Sequence, residues 1–223
     1  MERARDHLQN DLGLRVIGGL ISPTSDAYNK PGLASALHRR AMCTKALSSV
    51  SDQWIELSVW ESMQTEWTPT LKVLDMLAKQ ASEQHGFKVR TVLVCGSDLL
   101  ESFNKPGVWL ASDIRKILTD HSLVVVGRPG HDARASIEAN STVKELRENV
   151  HLVAELVTND LSSTAVRKAV LNGDSVKYLV ADPVVSYIKK QGLYLEKPAC
   201  NCGPIAPLQA NKKRLEEEEE LYL

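Results

Sequence analysis

The residues best suited to chemistry lie together near the C-terminal end of the chain, in the segment 159–167 (NDLSSTAVR). Ser162 and Thr164 supply hydroxyls at the start of a predicted helix, and Arg167 follows one turn later. Because the free N–H groups and the positive dipole end of a helix start both favour an anion, the segment predicts a phosphate-binding turn. An ordinary Ser/Thr helix cap is the alternative, and for this segment alone the two interpretations weigh equally.

Other residues in predicted loops have the chemistry to contact a nucleotide. Gly96 and Asp98 follow a predicted strand, where glycine permits close backbone approach and an aspartate can accept from ribose hydroxyls. A helix cap is the alternative there. Trp109 could stack on a flat base or simply pack against the core. Lys30 follows the first predicted strand, where a cation could meet a phosphate.

A second aromatic segment places Trp67 at a predicted helix start, with Thr70 one turn on. His131 lies just past a predicted strand, and packing within its loop explains it better than catalysis does. The sequence contains no Ser/His/Asp order, HExxH or P-loop signature. We therefore predict no catalytic side chain of these classes and no metal site built by the protein.

Composition restricts the class of protein. The chain of 223 residues has a net charge of −1, and it is neutral without its C-terminal segment, which argues against nucleic-acid binding. No apolar run reaches the length of a membrane span, and the charged N-terminus is unlike a signal peptide. The scattered cysteines fit a reducing compartment. We expect an intracellular protein, cytoplasmic or nuclear.

Apolar runs alternate with amphipathic segments along the chain. Strands are predicted at residues 14–22, 54–59, 91–95, 123–127 and 150–154, and helices at 2–10, 34–48, 67–80, 111–119, 163–172 and 183–191. This alternation predicts an α/β fold with a doubly wound parallel sheet. Such sheets bind ligands at the carboxyl ends of their strands, where the candidate residues lie.

The composition changes after residue 196. Three prolines are followed by a short basic run, Lys212 to Arg214, and then by five glutamates. Such a segment is too polar to contribute to a packed core. The sequence therefore predicts one α/β domain over residues 1–196 and a disordered, charged tail over residues 197–223.

Several long segments resemble the eukaryotic nicotinamide mononucleotide adenylyltransferase family. They are 17–33 (IGGLISPTSDAYNKPGL), 60–74 (WESMQTEWTPTLKVL), 95–109 (CGSDLLESFNKPGVW), 126–132 (VGRPGHD) and 159–167. The resemblance implies a Rossmann-like nucleotidyltransferase fold and an enzyme of NAD biosynthesis. Such an enzyme transfers AMP from ATP, with Mg²⁺, to nicotinamide or nicotinic acid mononucleotide, giving NAD or deamido-NAD and pyrophosphate.

Carried over by position, the resemblance also implies which residues bind the substrates. The mononucleotide would contact Lys30, Trp67, Thr70 and Trp109, with both tryptophans against the pyridine ring. ATP or NAD would contact Gly96, Asp98, Val108, Glu155, Asn159, Ser162, Thr164 and Arg167. The attacking group is the substrate's own phosphate oxygen, so no protein nucleophile is implied.

The chain departs from the family at its start. Relatives begin with a strand, a Gly-x-Phe-x-Pro-x-Thr loop that cradles the ATP phosphates, and a histidine, whereas Met1 aligns inside the helix that follows. The resemblance therefore implies a fold without its first strand and a weakly active or inactive chain. The alternatives are a catalytically impaired isoform that binds nucleotide and an interaction or chaperone-like protein. A homo-oligomer is left open.

Overall fold

The computed structural model describes residues 1–155 and 161–195. The chain forms two compact units. The described part of the first unit contains residues 1–15 and 69–155, and that of the second contains residues 16–68 and 161–195. The tail predicted over residues 197–223 lies outside the described residues. No described helix is long and apolar enough to cross a membrane.

Each of the five described strands is followed in the chain by one or two helices. In chain order they are α1 (Glu2–Asp6), β1 (Gly19–Ile21), α2 (Ala36–Leu47), β2 (Ile55–Leu57), α3 (Thr70–His85), β3 (Leu93–Gly96), α4 (Ser97–Ser102), α5 (Ala111–Lys116), β4 (Leu123–Val126), α6 (Ala133–Ala139), α7 (Ser141–Glu145), β5 (Val150–Val153), α8 (Ser163–Leu171) and α9 (Asp182–Gln191). Wider π-helical turns extend α1 over His7–Asp11 and α5 over Ile117–His121. Short 3₁₀ turns cover Asp26–Tyr28, Glu61–Met63 and Arg147–Asn149.

Every strand pair in the described chain is parallel. In the second unit, β1 pairs with β2, and in the first unit β4 lies between β3 and β5. Helices flank these strands, so the predicted Rossmann-like α/β fold with parallel strands is confirmed. Hydrogen bonding joins the five strands as a pair and a triplet.

The core of the first unit is built around β4. Leu123, Val124 and Val125 have no exposed surface, because this strand is bonded on both edges and covered on both faces. Helix α3 buries its leucine face at Leu71 and Leu74, as its periodicity predicts. These two leucines pack with Ile117 in one apolar cluster, and Leu123 and Val125 belong to another. The rigid centre of the unit therefore lies directly beneath the carboxyl ends of β3, β4 and β5.

Some elements differ from the sequence predictions. The strand predicted over 14–22 is reduced to β1, which pairs with β2, and Leu20 is 41% exposed. The helix predicted over 67–80 begins instead at Thr70, so the prediction that Trp67 starts a helix is wrong. Pro69 precedes that helix, and a residue before proline is biased towards extended backbone. Helices α4, α6 and α7 were not predicted.

A buried histidine joins α3, the turn after α5 and the segment just before β3. The His121 side chain is 4% exposed, and its Nδ1 lies 2.6 Å from Thr91 Oγ1. Its Nε2 lies 3.0 Å from Asp75 Oδ1. Both ring nitrogens therefore have polar partners, which is the condition under which a polar side chain can be buried at low cost.

Replacing Thr91 with valine is expected to lower the free energy of unfolding by about 1–2 kcal/mol, because it leaves His121 Nδ1 buried without a partner. Urea denaturation measures this directly. Thr119→Val is the matched control, since the Thr119 hydroxyl is exposed, and it should change stability by less than about 0.5 kcal/mol. Equal midpoints for the two variants would show that the Thr91 contact contributes nothing.

Candidate functional site

The carboxyl end of β3 brings two charged side chains against one glycine. The strand ends at Gly96, and α4 begins at once, so that Asp98 lies in its first turn. Asp98 Oδ1 lies 3.9 Å from the Nε of Arg128, which follows β4. A Cβ added to Gly96 would collide with Asp98 Oδ1 and lie 2.7 Å from Arg128 Nε. Glycine is required here because any side chain would displace this pair.

Arg128 is a candidate site residue that the sequence reasoning missed. It belongs to the segment 126–132, from which only His131 was considered. Arginine at the end of a strand adjoining Gly96 and Asp98 places a guanidinium beside a carboxylate. This pair can offer both donors and acceptors to a nucleotide sugar or phosphate. The signal in the sequence was the arginine itself, directly after a predicted strand.

Cys95, the residue before Gly96, has a thiol of low reactivity. Burial raises the pKa of its thiol to about 12, and the charge of Asp98 adds to the increase. Burial also raises the pKa of Cys43, although Arg39 opposes the increase. Because the thiolate is the reactive form of cysteine, the raised pKa values make both thiols less reactive than an ordinary cysteine near neutral pH.

Trp109 is anchored by its neighbours. Its indole N–H donates to Ser102 Oγ over 2.9 Å, and its ring meets Phe103 edge-on with centroids 4.8 Å apart. The ring also packs against both apolar clusters of the first unit. Packing against these neighbours therefore leaves the ring half-buried. Val108, the residue before it, is half-buried as well. Such anchoring would present a rigid aromatic surface to a ligand.

A cavity of about 620 Å³ opens near the carboxyl ends of β4 and β5, which is within the range of small-molecule sites. Its lining includes Gly127, His131 and Asp132. Asp132 caps α6 by accepting from the N–H groups of Arg134 and Ala135. His131 Nδ1 lies 2.5 Å from Glu101 Oε2, so this imidazole is held by a carboxylate. His131 is exposed, and this contact joins it to α4 rather than to its own loop.

Two more residues implied by the resemblance belong to the first unit. Glu155 lies two residues beyond β5, is half-buried and has interactions of its own. Thr70 is the first residue of α3 and is half-buried. Both therefore lie at the ends of regular elements, where a side chain can be fixed without being part of the core.

In the second unit, the turn before α8 has the local geometry that the sequence predicts. Ser162 Oγ accepts from the Ala165 N–H over 3.1 Å, so the capping interpretation is correct for this hydroxyl. Arg167 leans back one turn and donates to Thr164 Oγ1 over 3.1 Å. Thr164 is exposed and Arg167 half-buried. The structure thus brings hydroxyls, helix N–H groups and a guanidinium together, as an anion site needs.

Lys30 and Trp67 also lie in the second unit. Lys30 is exposed in the loop between β1 and α2, and Trp67 is half-buried in the segment that follows the Glu61–Met63 turn. Asn159, which the resemblance also implies, lies outside the described residues. The Asp98–Arg128 pair beside Gly96 therefore belongs to the first unit. The turn that carries Ser162, Thr164 and Arg167 belongs to the second.

The described residues contain no group of three His, Cys, Asp or Glu side chains able to hold a metal ion. Pairs of such groups do occur, among them His121 with Asp75 and His131 with Glu101. The donor set of the described chain thus does not fit a metal centre built by the protein alone.

Comparison with known proteins identifies relatives over most of the chain. The cytidylyltransferase-like family model matches residues 1–169. The chain is 38% identical to the Bos taurus protein named nicotinamide/nicotinic acid mononucleotide adenylyltransferase 1, covering 94% of this chain and 88% of the relative. It is 40% identical to the Oryza sativa protein of the corresponding name, covering 87% and 78%. The Arabidopsis thaliana protein so named is 38% identical, covering 87% and 82%.

Proposed function

Because the chain belongs to the cytidylyltransferase-like family, and within it to the nicotinamide/nicotinic acid mononucleotide adenylyltransferases, we propose that it forms NAD from ATP and nicotinamide mononucleotide. It is a transferase of NAD biosynthesis. The observation that carries this conclusion is the similarity to enzymes of one named activity over nearly the whole chain. With nicotinic acid mononucleotide, the product is deamido-NAD.

The reaction joins two phosphates and needs no protein nucleophile. A phosphate oxygen of the mononucleotide attacks the α-phosphorus of ATP, a new P–O bond forms, and the bond to the β-phosphate breaks to release pyrophosphate. The protein contributes positioning and stabilisation of negative charge. The absence of an acid–base constellation among the site residues is compatible with this chemistry, because the attacking phosphate is already ionised.

The site residues divide between the two substrates. We assign Lys30, Trp67, Thr70 and Trp109 to the mononucleotide, with the tryptophans against the pyridine ring. The adenylyl half is assigned to Gly96, Asp98, Val108, Glu155 and Asn159. We add Arg128, because it adjoins Asp98. Ser162, Thr164 and Arg167 are assigned to the triphosphate, supported by their geometry as an anion-binding turn.

Magnesium is proposed to enter with the nucleotide. Mg²⁺ is commonly bound through substrate phosphates and a few protein ligands, with several waters retained. Binding through substrate phosphates needs no group of three protein ligands, and the described side chains form none. The ion is therefore treated as part of the ATP substrate.

The remaining proposals concern the setting of the protein. We place it inside the cell, in the cytoplasm or nucleus, where scattered free cysteines such as Cys43 and Cys95 are expected. Neither a nucleic-acid partner nor a membrane span is part of this proposal. A homo-oligomer and the charged tail over residues 197–223 stay predictions.

Product formation with different nucleotides tests the function. Purified chain is incubated with Mg²⁺, nicotinamide mononucleotide and either ATP or CTP, and NAD and pyrophosphate are quantified. We expect equimolar NAD and pyrophosphate with ATP, and little product with CTP. Dinucleotide formation that is as fast with CTP would contradict the assignment to adenylyl transfer. Failure to bind either ATP or mononucleotide in calorimetry would contradict the proposal as a whole.

A further inference from the structure

The loop that carries Lys30 is tied to helix α2 by one nearly buried arginine. The Arg39 side chain is only 12% exposed, although guanidinium groups are usually on the surface. Its Nε donates to the carbonyl of Ala34 over 2.9 Å, and its Nη1 donates to the carbonyl of Thr24 over 2.7 Å. Its Nη2 donates to Asp26 Oδ1 over 2.9 Å. One side chain therefore holds both ends of the loop.

Asp26, which accepts from Arg39, also caps the start of helix α2. The residue that precedes α2, Ser35, supplies no side-chain cap. Asp26 Oδ1 replaces that cap by accepting from the Ala36 N–H over 2.7 Å. A carboxylate at a helix start is favoured by the free N–H groups and the helix dipole. The Asp26–Arg39 pair thus fixes residues 24–36 as one closed loop.

The other side of the same loop is tied to the segment that leads to Trp67. Ser22 Oγ donates to Glu61 Oε2 over 2.6 Å. Ser25 is 2% exposed, and its hydroxyl donates to the carbonyl of Glu66, directly before Trp67. The loop fixed by Arg39 therefore carries Lys30, one residue assigned to the mononucleotide, and is bonded to the residue before Trp67, another.

We infer that Arg39 is a positioning residue for the mononucleotide, acting through the loop that carries Lys30. The inference rests on the proposed function. Arg39 donates its three bonds within the protein and need not touch the substrate. Its role follows from the geometry of the guanidinium group. This group is planar and carries several N–H donors, so it reaches the acceptors of Thr24, Asp26 and Ala34 together.

Arg39→Lys tests this inference because it keeps the positive charge and loses the planar guanidinium with its several donors. We expect the Kd of nicotinamide mononucleotide, measured by calorimetry, to rise about tenfold in Arg39→Lys. The Kd of ATP should stay within about twofold. In turnover assays, KM for the mononucleotide should rise while kcat is retained, since only ground-state positioning is lost. Arg40→Lys is the matched control, because Arg40 makes none of these loop contacts within the described chain.

A second pair of variants keeps the test decisive if Arg39→Lys folds poorly. Asp26→Asn retains the acceptor Oδ1 and should bind mononucleotide nearly as the parent does, whereas Asp26→Ala should show the tenfold loss. Equal affinities in Asp26→Asn and Asp26→Ala, or an unchanged mononucleotide Kd in a folded Arg39→Lys, would overturn the inference. A parent chain that binds no mononucleotide would overturn the proposed function instead.

Discussion

Replacing Arg167 with alanine is expected to weaken ATP binding about 50-fold, because it removes a charged donor from the turn at Ser162 to Arg167 that we propose binds the triphosphate. Arg167 is held in the first turns of α8 by its bond to Thr164 Oγ1, so its guanidinium is already positioned before the ligand arrives. A preordered donor gives more binding free energy than one that must be immobilised on binding. Calorimetric titration of the chain with ATP measures the change.

Lys168→Ala is the matched control for this variant. Lys168 is the next residue, carries the same charge and is exposed. Its removal should change the ATP affinity by less than about threefold, since it acts only through screened, longer-range attraction. If both variants lose the same affinity, the turn acts as a general positive surface, and the specific role of Arg167 is wrong.

Replacing Gly96 with alanine is expected to weaken the binding of ATP and of NAD about 30-fold with little change in stability. The new methyl group would collide with Asp98 and lie 2.7 Å from Arg128 Nε. The obstructing atoms belong to the flexible side chains of Asp98 and Arg128 rather than to the backbone, so they can turn away at small cost in folding free energy. The same movement removes the carboxylate and the guanidinium from their places beside the strand end.

Two measurements separate these effects. Thermal unfolding should show a melting temperature close to that of the parent chain, and calorimetry should show the loss of nucleotide affinity. Gly18→Ala is the control, because its added methyl group would meet only the Trp54 carbonyl at an ordinary 3.8 Å. Full nucleotide affinity in Gly96→Ala would mean that the Asp98–Arg128 pair does not contact the ligand.

The sequence was sufficient for the strands at the centre of the first unit. Apolar, β-branched runs such as Leu123–Val126 are buried on both faces, and this environment is what their composition indicates. Helices α4, α6 and α7 were missed because segments of five to seven residues are too short to show a helical period. The strand predicted from residue 14 was too long, since hydrophobicity alone does not reveal how far the pairing with β2 extends.

Site residues were predicted where a single local turn contains the chemistry. Ser162, Thr164 and Arg167 are neighbours in sequence, so their proximity follows from helix geometry. The Asp98–Arg128 contact joins the ends of two strands, and no local pattern encodes it. The same holds for Arg39, whose contacts with Thr24 and Asp26 depend on how a loop folds back on its helix.

The raised pKa values of Cys43 and Cys95 have a consequence for the oxidation chemistry of the protein. Peroxides and thiol-directed reagents attack thiolates, and a raised pKa lowers the thiolate fraction of both residues near neutral pH. Cys95 lies directly before Gly96, so this lower reactivity extends to the carboxyl end of β3. We therefore expect peroxide to oxidise Cys43 and Cys95 more slowly than an exposed cysteine of ordinary pKa.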